Sequence, residues 1–257
     1  MRGPFPHRLI EERPPQIGLI VLQTDESIEM DFRRLVPLET ELFVTRVPSG
    51  TVVSPESLAE MEHHIAGAAA LFPRSARFSA VAYGCTSGTA QIGAGEIAHL
   101  IRGATETRDV TEPLSALVAA CRSLGIRRLG LLSPYVAPVS ERLREVLGSH
   151  GIETPVFGSF EVAEEERVAR IDGPSLRVAA EAVVRDADVD GLFLSCTNLR
   201  TLDEIEGLEA RLGMPVLASN QVLAWRLMSL AGVTPVAGAP GVLFDTPAQA
   251  EAREAEA

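Results

Sequence analysis

A chain of 257 residues that is 46% hydrophobic has the material for one large domain or two small ones with real cores. Its 35 acidic residues outnumber 23 basic ones, and a net charge of −12 disfavours unspecific binding to nucleic acid or anionic membranes, which needs a basic surface. No window approaches the roughly 18 to 20 apolar residues of a membrane span, and the opening MRGPFPHRLIEERPPQ lacks the apolar stretch of a signal peptide, so a cytoplasmic location is expected.

In that reducing compartment the three cysteines are expected to be free thiols. Their odd number and the lack of a CxxC or Cys/His ligand spacing argue against a disulfide framework or a structural zinc site.

Residues 1–15 are proline-rich and 245–257 small and charged, so both are expected to be flexible tails. Between them, seven short apolar runs have strand character: IGLIVL from Ile17, LFVTRV from Leu42, FSAVAY from Phe78, RLGLLS from Arg128, TPVFGSF from Thr154, GLFLSC from Gly191 and MPVLAS from Met214. Longer stretches of helical spacing follow them, including 27–35, 139–147 and 220–231. The alternation predicts an α/β fold with parallel sheets.

An internal repeat sharpens this expectation. Gly18-Leu19-Ile20 and Gly130-Leu131-Leu132 each open a strand that leads through a polar loop into a helix. Cys85 lies 67 positions after Gly18, and Cys196 lies 66 after Gly130. Each cysteine ends an apolar run, in AVAYGCTSGT and GLFLSCTNLRT. Two pseudo-symmetric, flavodoxin-like α/β domains are therefore predicted, 16–112 plus 221–244 and 113–220, with the last helix crossing back to the first. Open parallel sheets bind ligands at the carboxyl ends of their strands, so both cysteine loops are expected at a shared cleft between the domains.

In each loop Cys-Thr-(Ser or Asn) follows a strand and is expected to open a helix, whose N-terminus favours a thiolate and can hold a carboxylate. Thr86, Ser87 and Thr89 in the first loop, with Thr197 and Asn198 in the second, supply hydrogen bonds for a substrate carboxylate or a developing enolate-like charge. Gly84 and Gly88 are expected to keep the backbone accessible. Two thiols on opposite faces of a carbon next to a carboxylate allow proton transfer that inverts the centre, or addition to a double bond, rotation and elimination. Neither route requires a metal or an organic cofactor. Cys121, within LSALVAACRSL, is expected in the core.

These residues resemble the aspartate/glutamate racemase superfamily, in the branch holding maleate isomerases and arylmalonate decarboxylases. The likeness is carried by IGLIVLQTDESIE, YGCTSGT, LGLLSPY, SCTNLRT and SNQVLAW. It implies Cys85 and Cys196 as the two thiols and Tyr135 as a substrate-contacting tyrosine, and, by family analogy alone, a homo-oligomer. The decarboxylases of this branch have a glycine in place of the first cysteine and resemble the chain less.

One departure concerns the first loop. Maleate isomerases carry an Asn in a Pro-Ser-Ser/Thr-Asn setting, where this chain reads Leu22-Gln23-Thr24-Asp25. A carboxylate there repels a dicarboxylate and suits an amine or amidine cation. The opening Thr24-Asp25-Glu26-Ser27-Ile28-Glu29 is similar to isomerase-like proteins of ectoine and hydroxyectoine utilisation, which implies a racemase or isomerase in that degradation. Asp25 is equally suited to cap the following helix, and Thr24 to either role.

Maleate cis-trans isomerisation stays open as the alternative. An arylmalonate-type decarboxylase and a non-catalytic metabolite-binding protein follow it. The pair His63-His64, the solvated run 161–167, Arg200 and Trp225 are expected to play structural or surface roles.

Overall fold

A computed structural model describes residues 3–246. Among the described residues eight strands form: β1 (Gln16–Leu22), β2 (Glu41–Val47), β3 (Phe78–Gly84), β4 (Thr107–Thr111), β5 (Arg128–Ser133), β6 (Glu153–Ser159), β7 (Gly191–Leu194) and β8 (Val216–Ala218). Helices α1 (Ile28–Leu35), α2 (Pro55–Glu60), α3 (Glu62–Ala69), α4 (Thr86–Ile92), α5 (Ala94–Ala104) and α6 (Pro113–Leu124) accompany the first four strands. Helices α7 (Ala137–Ser149), α8 (Glu165–Val168), α9 (Gly173–Val184), α10 (Ile205–Leu212) and α11 (Ser219–Ala231) accompany the rest. Among the described residues no helix is long and apolar enough to cross a membrane.

The strands make two four-stranded, all-parallel sheets of identical order, β2-β1-β3-β4 and β6-β5-β7-β8. Parallel neighbours require crossovers, and helices covering both faces explain why β1 and β7 are buried along their whole length. The chain is thus two copies of one α/β unit. The repeated glycines have one physical reason. Gly18 lies in register with Val81, and a Cβ there would meet Val81 at 3.0 Å and Phe72 at 3.1 Å; Gly130 lies in register with Leu192, and a Cβ would meet Val184 at 2.7 Å.

Local chemistry sets the element ends. Ile28, Phe32 and Leu35 bury one face of α1 at helical spacing, each contributing about 1.5 to 3 kcal/mol. At the start of α6 the Glu112 carboxylate accepts the N–H groups of Leu114 (2.7 Å) and Ser115 (3.0 Å), Pro113 fits the first turn, and Gly125 ends the helix in the left-handed conformation. Helix α11 leaves β8 of the second sheet and packs on β3 of the first and on α6.

Two details depart from expectation. β4, TRDVT, has too few apolar residues to stand out as a strand, and its register with β3 forms it. The run from Met214 yields only three strand residues, because Pro215 precedes them and Ser219 already belongs to α11. Residues 3–15 form no helix or strand, whereas 1–2 and 247–257, which include most of the predicted C-terminal tail, lie outside the described residues.

Candidate active site

β3 delivers Cys85 to the N-cap of α4. Its Sγ accepts the Gly88 N–H at 3.2 Å, and the Thr89 hydroxyl donates to the Cys85 carbonyl at 2.7 Å. Both glycines of the loop serve close packing, contrary to the expectation that they expose backbone. A Cβ at Gly84 would meet Ile28 Cδ1 at 2.6 Å, and one at Gly88 would meet Cys85 Sγ and Tyr83 Oη at 2.9 Å each.

The second loop differs. Cys196 follows β7 and Ser195 with φ of +120°, a region that side chains rarely adopt, at a cost of about 1 to 3 kcal/mol. The chain then turns, and only a 3-10 turn at Leu202–Glu204 precedes α10. The expectation of a helix opening at both cysteines therefore holds for Cys85 alone.

Three contacts join the loops. The Cys196 N–H donates to Ser219 Oγ at 3.0 Å, and Thr86 donates to the same oxygen at 2.8 Å. The Thr197 hydroxyl donates to the Gly84 carbonyl at 3.3 Å. Tyr135, fully buried after β5, lies close enough to both thiols to interact with them electrostatically, with Cys196 more strongly than with Cys85. Tyr83, also fully buried, feels Cys85, while its hydroxyl donates to Met61 Sδ at 3.9 Å.

Both thiols are buried, at 3% and 5% exposure. Burial pushes the Cys85 thiol up to about 12 against the easing effect of the Gly88 N–H, and the charges of Glu165 and Asp25 push the same way. Cys196 is raised well above the ordinary thiol value, by burial first and then by Glu165. The helix N-terminus was expected to favour a thiolate at rest; desolvation outweighs it.

Asp25 is 4% exposed. Its Oδ1 accepts the N–H groups of Ser27 and Ile28 at 2.8 Å each, so it caps α1, while Oδ2 is buried without a hydrogen-bond partner. Burial raises this carboxyl, and Ile28, Ser27 and then Thr197 ease it. Thr24 is half-buried and pairs with Ser49 at 3.1 Å. Ser87 Oγ lies 3.8 Å from Cys85 Sγ.

Asn198 is a brace. Its Oδ1 accepts the Glu26 N–H at 2.8 Å, and its Nδ2 donates to Glu165 Oε2 at 2.9 Å and to the Glu165 carbonyl at 3.1 Å. Glu165 is the site residue missed in the sequence. It lies in the acidic run expected to be solvated, yet it is buried, and burial raises its carboxyl to about 7, with Asn198 opposing and Asp25 reinforcing. Nothing in EEER marks one glutamate of the run as buried.

Asp25, Glu165 and Thr24 line a cleft of about 850 Å³ between the halves. An antiparallel bridge between Val52 and Glu164 crosses from one half to the other, with the Val53 N–H on the Ala163 carbonyl (2.8 Å) and the Glu165 N–H on the Thr51 carbonyl (3.0 Å). Cys121 lies in the core of α6 and Trp225 in α11, whereas Arg200 and His63 are exposed.

The arylmalonate decarboxylase family model matches residues 51–244, a stretch that contains both cysteines. The chain belongs to this family. Among curated relatives, the arylmalonate decarboxylase of Bordetella bronchiseptica is 35% identical over 119 residues, 46% of this chain and 50% of that enzyme, so the alignment spans half its length. The maleate isomerase of Nocardia farcinica is 28% identical over 225 residues, covering 83% of this chain and 88% of that one. A double mutant of arylmalonate decarboxylase, solved in liganded form, superposes with a TM-score of 0.81 at 30% identity, covering 90% of this chain and 99% of that one. The family thus contains isomerases and decarboxylases with this two-sheet fold.

Proposed function

We propose that this family member is a cofactor-independent isomerase that moves a proton at the carbon next to a substrate carboxylate, using Cys85 and Cys196 from opposite faces. The carrying observation is the pair of buried thiols at equivalent strand ends, joined through Thr86, Ser219 and the Cys196 N–H. One thiolate takes the α-proton, the charge passes onto the carboxylate as an enolate-like species, and the other thiol returns a proton to the far face. The first-turn N–H groups of α4 other than that of Gly88, which Cys85 Sγ accepts, lack intrahelical partners and suit that carboxylate.

Asp25 favours a substrate with a positive group over a dianion, and ectoine or hydroxyectoine, each a carboxylate joined to a cyclic amidinium, fits that charge pattern. A place in ectoine degradation rests on the opening-loop resemblance and on Asp25. The second reading, maleate cis-trans isomerisation, is favoured by the maleate isomerase relatives, which align along most of this chain. Decarboxylation is supported by the family and weakened by the presence of the first thiol.

The deciding experiment incubates the protein in heavy water with ectoine, hydroxyectoine, 2,4-diaminobutyrate or maleate. Deuterium is expected at the carbon next to the carboxylate of a zwitterion, and both Cys85→Ser and Cys196→Ser are expected to abolish exchange. Full exchange in either variant sinks the two-thiol reading. Conversion of maleate to its trans isomer without zwitterion exchange selects the second reading.

A further inference from the structure

We infer that Asp25 and Glu165 together form a receptor for the positively charged group of a zwitterionic substrate, an ammonium or amidinium, whose carboxylate lies at the cysteine loops. This deepens the proposed function and rests on it. Asp25 and Glu165 come from different halves of the molecule and line the same cleft. Asn198 ties Glu165 to the loop that carries Asp25, holding Glu165 with its amide nitrogen and the N–H of Glu26, the residue after Asp25, with its oxygen.

Two buried carboxylates close enough to repel one another are costly unless a cation joins them. Among the described residues, neither forms an ion pair. Arg46, the cation nearest to Asp25, is committed elsewhere: its guanidinium pairs with Glu29 and donates to the carbonyls of Leu22 (2.9 Å), Gln23 (3.0 Å) and Asp25 (3.0 Å). Arg170, on the other wall, pairs with Glu166 at 2.6 Å. Asp25 lines the cleft, and its Oδ2 is buried without a hydrogen-bond partner. Glu26 and Glu164 add negative charge to the lining.

The arrangement also couples recognition to chemistry. Burial is the main reason that both thiols stay protonated, and the charges of Glu165 and Asp25 add to it. A cation seated between the carboxylates cancels that repulsion when substrate arrives, and a dianion adds to it.

Calorimetric titration of the full chain with ectoine, 2,4-diaminobutyrate and maleate tests the pair, using wild type, Asp25→Asn, Glu165→Gln and the double variant. Asn keeps an Oδ1 that caps α1, and Gln keeps the Glu165 shape. At least one zwitterion is expected to bind wild type about 100-fold more tightly than maleate. Each single variant is expected to lose at least about 10-fold of that affinity, and the double variant to gain about 10-fold for maleate. The inference is overturned if no zwitterion binds wild type more tightly than maleate, or if Glu165→Gln binds the preferred zwitterion unchanged. Melting temperatures give a second arm: neutralising Glu165 in the free protein is expected to raise stability, and a fall contradicts a receptor whose charge is uncompensated at rest. Tight zwitterion binding without deuterium exchange would sink the two-thiol chemistry and leave the carboxylate pair standing.

Discussion

The Asn220 side-chain amide donates at once to Asp31 Oδ2 and to the Thr197 carbonyl, both at 2.8 Å. One residue at the start of α11 therefore fastens α1 of the first half to the loop that carries Cys196. Asn220→Ala removes both bonds and leaves a buried carboxyl and a buried carbonyl unpaired, at an expected cost of about 2 to 4 kcal/mol in urea unfolding. Because Cys196 holds an unfavourable φ only while its loop is fixed, deuterium exchange should fall by more than 10-fold under conditions where the variant is still fully folded. Wild-type exchange in a destabilised variant would show that Asn220 serves stability alone.

Glu165 makes the stability of the free protein depend on pH in an unusual direction. Its carboxyl is raised from 4.5 to about 7, so the folded state binds the proton more tightly than the unfolded state. The resulting stabilisation is complete below about pH 4.5 and is lost as pH rises to about 7. Asp31, raised from 3.8 to about 6 by burial against the pull of Asn220, acts in the same sense over a lower window. Carboxyls held low, such as Asp172 and Asp190, act in the opposite sense, with stability that disappears in more acid solution. Glu165→Gln should therefore flatten the decline in stability between pH 5 and 8, a difference on the order of 3 kcal/mol over that interval. Parallel curves for the two proteins, followed by chemical unfolding, would refute the assignment.

The paired glycine and cysteine spacings made the duplicated α/β unit legible because each carries a steric or chemical requirement visible in one residue type. Gly18 and Gly130 are glycine because a covering side chain approaches their Cα, and the apolar strands are continuous because both faces are covered. β4 was hidden because its order comes from pairing with β3. The resting state of the thiols was illegible for a different reason. Residue type and helix position point to an activated Cys85, whereas its environment is decided by how completely the two halves close over it. Glu165 illustrates the same limit, since a glutamate in an acidic run reads as solvated until Asn198, 33 positions later, folds against it.

Gly88→Ala should separate positioning of the first thiol from overall stability. The added methyl meets Cys85 Sγ and Tyr83 Oη at 2.9 Å and Met61 Cε at 3.0 Å, so at least one must move, and the thiol is among the groups displaced. Overpacking of this kind costs about 1 to 3 kcal/mol. Exchange that depends on Cys85 should drop by about 100-fold, since a shift of an ångström is enough to misplace a reacting group. Unchanged exchange alongside the expected loss of stability would mean that Met61 or Tyr83 absorbs the strain and Cys85 stays in place.

The chain has only two tyrosines, and each is fully buried against one of the two site thiols. They are not equivalent. Tyr135 lowers the cost of ionising Cys196 and is the one side chain that opposes burial of that thiol. Tyr83 gives its hydroxyl to Met61 Sδ, at 3.9 Å, while Cys85 already has the Gly88 N–H. Tyr135→Phe should therefore raise the Cys196 thiol further and slow exchange by about 10- to 100-fold, with the rising limb of the pH–rate profile, where the thiolate forms, displaced to higher pH. Tyr83→Phe should slow it by less than about 10-fold and leave that limb in place. Stability should fall by about 1 kcal/mol or less in both, because the ring and its packing are retained. If the two variants slow exchange equally, the tyrosines serve only to fill space beside the thiols; if Tyr83→Phe alone is slow, the thiol that needs help to ionise is Cys85.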